Sequence, residues 1–259
     1  MANSVVYYRE VEYKLLYHLM TTSVYVEVAG KNGINLLREV FMDNYVVPEH
    51  LAMRKQPSQE RTRRLVEHIL DSTLSLIQEQ GMAAVNTNLI AQHAEIDIAS
   101  LYRFFKNKEA IFFSLALRWF KKVQIVVEDV NFQQTLGNIV EYPDSAQSKI
   151  NALDETEVML VSFHELFTHD KDFKALESWH RVIVIEQTKR SFISHGSKWD
   201  DEALTSVCLY LYGLTRNFMA GTIGFSAEEH HHQFTWFQIM LNQLRKMVLL
   251  EKVPEKFLR

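Results

Sequence analysis

Apolar residues recur at helical spacing along most of the chain, and the tightest pattern lies in residues 86–109, NTNLIAQHAEIDIASLYRFFKNKE. Leu89, Ile90 and Ala94 give a first short helix its apolar side. Ile98, Leu101 and Phe105 fall at i, i+3 and i+7 and predict a second helix over residues 98–105. Between them Glu95-Ile96-Asp97 leaves room only for a turn. Asn86 or Thr87 suits the cap of the first helix and Asp97 that of the second, because each side chain can accept a bond from an orphan backbone N–H. Ser100, Tyr102, Arg103 and Lys106 then face outward. A short bracing helix followed by an exposed helix bearing a hydroxyl, a phenol and cations is the physical layout of a helix-turn-helix reader.

The flanking pattern extends this unit. A helix capped by Ser58 after Pro57 should run to about Gln80 and stop at Gly81, with Leu65, Ile69, Ser72, Leu76 and, beyond it, Ala84 toward a core. Arg61, Arg63 and Arg64 crowd its first turn, where cations oppose the helix dipole and a DNA phosphate would offset the cost. Asn107 can cap a long fourth helix to about Val127 that buries Ile111, Leu115, Trp119 and Val123. Its free N–H groups beside Lys106 and Lys108 make an anion site.

Residues 87–112, TNLIAQHAEIDIASLYRFFKNKEAIF, resemble the DNA-binding signature of the TetR family of bacterial transcriptional regulators. The matching pieces are Thr87-Asn88, Ile90-Ala91, Ala94, Ser100-Leu101-Tyr102, Phe105 and Asn107-Lys108-Glu109-Ala110, within a resemblance that covers roughly residues 56–122. It implies an all-α fold: a three-helix DNA-binding head, then a helical ligand-binding and dimerisation body. The expected division is an N-terminal helical extension at 1–55, a helix-turn-helix domain at 56–106 and the body at 107–259. Thr87, Tyr102 and Lys108 are expected on phosphates and Arg103 on a base edge. Asn88, Ser100, Lys106, Arg61, Arg63 and Arg64 complete the DNA-facing set.

Outside this span the pattern remains helical. In the extension, Tyr13, Leu16, Tyr17 and Met20, then Leu37, Phe41 and Tyr45, predict two helices, with a short extended piece at 23–28. Residues 129–144 read as a loop with some helix. Residues 154–169 form a helix with Val158, Val161, Phe163, Leu166 and Phe167 inward, and residues 173–194 are apolar on two faces. Asp200 or Asp201 caps a helix with Leu204, Val207, Leu211, Leu214 and Phe218 in alternating steps of three and four. Phe234, Phe237, Leu241, Leu244 and Val248 repeat that alternation in the last helix. The two form an antiparallel hairpin, and pairing with its copy would build a four-helix bundle, so these ten residues are the expected homodimer interface. The same stripes buried within one chain are the competing reading.

Composition adds constraints. The 259 residues, 47% hydrophobic with few glycines and prolines, suit a compact helical protein. A single cysteine, Cys208, fits a reducing cytoplasm, and no signal peptide or membrane-length apolar run is visible. The net charge is −4, yet residues 54–122 hold eleven Lys/Arg against seven Asp/Glu, a local +4 within flanks of −8. A basic island in an acidic chain attracts phosphates without general stickiness.

Catalytic patterns do not appear, so no enzyme and no cofactor is expected. His164-Glu165 and His169 are one residue too far apart for a zinc HExxH, and His230-His231-His232 diverge around a helix, so no metal site is expected. A sensor pocket for a hydrophobic small-molecule effector is expected from Trp119, Phe163, Phe167, Trp179, Ile183 and Tyr210, with polar groups from His164, His180, Arg216 or Asn217. The expected function is a DNA-binding regulator, most simply a repressor of a palindromic operator. The alternative is a regulator whose residues 1–53 receive a protein signal and that has no small effector.

Overall fold

The computed structural model describes residues 45–134, 155–222, 225–250 and 252–253. The helices expected at 1–45 lie almost wholly outside them. The chain divides into two compact units, Met1–Tyr45 and Val46–Arg259, and the second is all-α among the described residues.

Its first helix, α1, spans Glu60–Gln80. The cap is Gln59 and not Ser58: the Thr62 hydroxyl donates to the Gln59 carbonyl at 2.7 Å and accepts from its N–H at 3.3 Å. The helix stops at Gly81, whose φ of +78° disfavours any side chain. A 3₁₀ turn, Met82–Ala84, follows, and Val85 takes the buried place expected for Ala84, which is exposed. The tighter turn rotates the chain by one residue.

α2 is Thr87–His93 and α3 is Ile98–Tyr102. α3 ends three residues earlier than the periodicity predicts. Phe104 and Phe105 are both fully buried, which neighbours on one helix achieve poorly, and their N–H groups both close on the Leu101 carbonyl at 3.0 Å. α4, Lys108–Gln134, outruns its predicted end at Val127. Ile111, Leu115, Trp119 and Val123 are buried as expected.

The span expected to be one helix at 154–169 is two, α5 (Thr156–Val161) and α6 (His164–His169). The Phe163 N–H reaches back five residues to Val158 at 3.2 Å, which breaks the register, seats Phe163 in the core and leaves Val161 exposed. α7 is Lys171–Ser194, α8 Asp201–Gly221 and α9 Ala227–Leu250. Asp170 caps α7 through the N–H groups of Asp172 and Phe173, and Asp200 caps α8 through Ala203. No described helix is long and apolar enough to cross a membrane.

Two cores result. Phe113, Phe163, Phe167 and Phe173 meet with ring centres 5.2–6.1 Å apart and join α4, α6 and α7. A second core joins α8 and α9 to Ile185 and Phe192 of α7 and to Trp199. Leu204, Val207, Leu211, Phe237, Leu241 and Val248 are buried there, and Leu214, Phe218, Phe234 and Leu244 pack against them. Phe218 stacks on Phe237 at 4.2 Å. Six of the ten residues expected to contact a second copy are thus buried within one chain, and Leu214, Phe218, Phe234 and Leu244 stay half-buried. The spacing marked the face that meets another helix, and the nearest helix is the chain's own. The outer faces instead carry Leu209, Tyr210, Trp236, Ile239 and Met240, all exposed.

Candidate nucleic-acid interface and body cavity

The reading head is set by short-range bonds. Asn86 Oδ1 accepts from the N–H groups of Asn88 and Leu89, both at 3.1 Å, so Asn86 and not Thr87 is the cap of α2. Thr87 is free to do something else: its hydroxyl meets the Tyr102 hydroxyl at 2.9 Å and ties the start of α2 to the end of α3. Between them the turn passes through Glu95, at φ +51°, a conformation few residues other than glycine adopt. Ile96 N–H closes the turn on the Ala91 carbonyl at 3.0 Å, and Asp97 Oδ1 caps α3 through the Ala99 N–H at 3.1 Å. Ile90, Ala94 and Leu101 are buried beneath this frame.

The surface carries Asn88, Tyr102 and Arg103 exposed, with Thr87, Ser100 and Lys108 half-buried. Arg103 lies 4.8 Å over the Phe104 ring and Lys108 5.9 Å over Phe112, so both charges rest on aromatic faces that desolvate neither. Asn107 caps α4 by accepting from Ala110 N–H at 2.8 Å. Lys106 is less available than expected, because its ammonium donates to the Glu49 carbonyl at 2.5 Å. Arg61, Arg63 and Arg64 are exposed at the start of α1. Glu60 partly answers their charge, at 2.9 Å from Arg64 and 3.7 Å from Arg63, so phosphate is not needed to offset all of it.

A strap of residues 48–54 runs past the head. Arg54 N–H donates to the Phe104 carbonyl at 2.8 Å, Leu51 is buried, and His50 Nε2 lies 3.1 Å from Asp172 Oδ2 at the start of α7. A second link joins head to body through Arg118 on α4. Its Nη1 reaches Glu67 and Asp71 on α1, both at 2.8 Å, and its Nη2 lies 3.0 Å from Glu155. Glu155 is 1% exposed and also holds Lys122 at 2.6 Å. Burial works against the Arg118 charge, but the three carboxylates outweigh it and raise its pKa.

Beneath α4 the body holds a partly open cavity of about 160 Å³. Of the residues predicted for a pocket, Trp119, His164, Phe167, His180 and Arg216 line it. Phe163, Trp179 and Ile183 do not and are buried elsewhere, while Tyr210 and Asn217 are exposed. Phe120, Val123, Tyr212 and Arg245, not expected there from the sequence, are among the other residues of the wall. Trp119 joins the wall to the link above it, since its indole N–H donates to Thr156 Oγ1 at 3.1 Å, beside Glu155.

His180 is fully enclosed, stacked on Phe120 at 4.3 Å and bonded through Nδ1 to Gln124 at 3.2 Å. Burial first, and the charge of Arg216 second, push its pKa down to about 3, so the ring is neutral near pH 7. Arg216 is itself bonded to the buried Glu177, which also accepts from Tyr212 at 3.1 Å. The Cys208 thiol faces the same cavity with its pKa pushed up to about 12, chiefly by burial, and is therefore a packed thiol and no nucleophile.

Residues 69–115 match the family described as bacterial regulatory proteins, tetR family. The HTH-type transcriptional repressor KstR of Mycolicibacterium smegmatis is 29% identical over 82 residues, which are 32% of this chain and 38% of that protein. Among solved structures, a TetR-family transcriptional regulator from Streptomyces coelicolor aligns with a TM-score of 0.45 at 19% identity, over 71% of this chain and 99% of that one. The fatty acid degradation regulator FadR from Bacillus halodurans aligns with a TM-score of 0.44 at 14% identity, over 76% of this chain and 97% of that one. The helix-turn-helix segment of this chain is thus similar to the DNA-binding segment of the tetR family of bacterial regulatory proteins.

Proposed function

We propose that this chain is a dimeric transcriptional regulator that holds a palindromic DNA operator, acts as a repressor, and releases the operator when a small, mostly apolar molecule enters the body cavity. The observation that carries the reading is the head itself: Asn86 and Asp97 cap two helices around a closed turn, and the Thr87–Tyr102 bond fixes their outer edge. In this reading residues 56–106 hold DNA, with Thr87, Tyr102 and Lys108 on phosphates and Arg103 on a guanine edge, while residues 107–259 bind the effector and pair the subunits.

Self-pairing falls to the outer hairpin face of Leu209, Tyr210, Trp236, Ile239 and Met240, which are exposed, while the inner face packs mainly within the chain. Two heads so joined address successive major grooves about 34 Å apart. Trp119, Phe120, Val123 and Val127 of α4 all border the cavity, so an entering molecule bears directly on the helix that carries the head. A change in head separation then weakens binding with every base contact intact.

The test uses DNA selected from a random pool by the full-length protein. Tyr102→Phe with Lys108→Ala should weaken binding by about tenfold or more and lower the salt slope by about one, with an unchanged helical circular dichroism spectrum. Unchanged affinity in this double variant refutes the reading.

A further inference from the structure

Arg118 spends its hydrogen bonds unevenly. Nη1 donates to both Glu67 and Asp71 of α1, at 2.8 Å each. Nη2 lies 3.0 Å from Glu155 Oε1, near enough to attract but too poorly aligned to bond. Nε, Nη2 and Glu155 Oε2 are all buried, and among the described residues none of the three has a hydrogen-bond partner. One nitrogen thus serves two exposed carboxylates, while the rest of the fork stands idle beside a buried one.

That distribution is not the one local energies favour. Exposed ion pairs contribute little, because water and salt screen them. A buried donor or acceptor without a partner forfeits its full desolvation cost. Turning the Nε–Nη2 edge onto both oxygens of Glu155 would satisfy three orphaned atoms in a paired, charge-assisted bond and give up two surface contacts. Against the turn stand Lys122, which already holds Oε1 at 2.6 Å, and the present pose of α1 on α4. Opposed costs of this kind make a side chain with two settings.

Glu155 is placed to choose between them. It stands at the start of α5, and Met159 and Leu160 of the same short helix border the cavity. Thr156, next to Glu155, accepts the indole N–H of Trp119, the residue after Arg118 on α4. An occupant that displaces α5 therefore moves Glu155 past Arg118.

We propose that Arg118 is the positioning residue of the head and has two settings: bonded to Glu67 and Asp71 it holds α1 in the pose that binds DNA, and forked onto Glu155 it lets the head go. This rests on the effector reading above and assigns the residue through which the cavity acts. Because the change is an exchange of partners by one side chain, a small movement of α5 becomes a discrete change at α1. A head no longer tied to α4 gives up orientational freedom on landing, and binds DNA more weakly.

The experiment needs no effector. In the full-length protein the Arg118 Nε–H resonance, assigned by its loss in Arg118→Lys, is followed by nitrogen-edited NMR, and affinity is measured for the selected DNA. Glu67→Gln with Asp71→Asn empties the head side; both residues are more than half exposed, so the fold is kept. The Nε–H signal should move downfield and exchange more slowly with water as the fork forms, and DNA affinity should fall about fivefold or more. Charge alone predicts the reverse, since this variant removes two negative charges from the DNA-facing unit. Glu155→Gln empties the other side, and should leave the signal in place and the affinity equal or higher. Leu160→Phe adds bulk to the cavity beside α5 as a stand-in for an occupant. It should shift the signal and lower the affinity as the Glu67 and Asp71 changes do, and should have no further effect on affinity in an Arg118→Met background. An unmoved signal in the Glu67 and Asp71 variant overturns the two settings. A Leu160→Phe effect on affinity that persists in Arg118→Met overturns the route through Arg118. If the wild-type protein selects no DNA, the functional reading falls, and the NMR comparison alone decides whether Arg118 has two settings.

Discussion

Removing the Arg118 side chain tests how the head is joined to the body. Arg118→Met keeps the stem's packing and deletes a guanidinium that touches three carboxylates. Glu67 and Asp71 are 57% and 65% exposed, so losing either contact alone costs about 0–1 kcal/mol. Glu155 is different. At 1% exposure it is left with Lys122 alone, itself 42% exposed. Stripping one partner from a buried pair costs about 3–5 kcal/mol, and the remaining lysine trims that, so the variant should lose about 2–4 kcal/mol in total. For a unit of this size that is a drop in Tm of about 4–16 °C in differential scanning calorimetry. Adding Glu155→Leu to Arg118→Met should recover part of the loss, because the stranded charge is gone. A fall below about 0.5 kcal/mol, or a double variant weaker than the sum of its singles, refutes the argument that Glu155 depends on Arg118.

Acid should destabilise the protein through His180. Its folded pKa, about 3, lies below the unfolded value of about 6.5, so the unfolded chain binds the extra proton and stability falls as pH drops from about 6.5 toward 3. The loss is about 2 kcal/mol by pH 5, and His180→Phe should flatten that part of a Tm-against-pH curve; an identical curve removes the assignment. In the hairpin, Leu241→Ala should cost about 2–5 kcal/mol of fold stability, since Leu241 is 2% exposed within the chain's own core. Trp236→Ser together with Ile239→Ser should leave the melt of the isolated chain nearly unchanged and shift light scattering toward the monomer; a stable dimer in this variant counts against the outer-face interface.

The head was largely legible in the sequence because its determinants are local. Asn86, Asp97 and Asn107 sit within three residues of the N–H groups they satisfy, and the turn length follows from counting. The end of α3 was not legible, since Phe104 and Phe105 are both drawn inward by packing that the helical period does not encode. In the body, the alternating stripes of α8 and α9 identified the face that meets a helix, but spacing carries no label for whose helix it is. α7 is apolar on several sides, so Trp179 and Ile183 could not be separated from His180 as core or cavity. A usable signal for the cavity is Arg245, which lies between Leu241 and Val248, a charge inside an apolar stripe.

The strap of residues 48–54 bears on how firmly DNA could be held. A head joined to its body by α4 alone would swivel about that helix, and that freedom would be surrendered on landing on DNA. Here Arg54 and Lys106 fasten the strap to the head, so swivelling must first break its tie to the body, His50 from Asp172, or pull it off the head. The orientational entropy is therefore given up during folding, before any DNA arrives, and preorganisation of this kind leaves more of the contact energy as affinity.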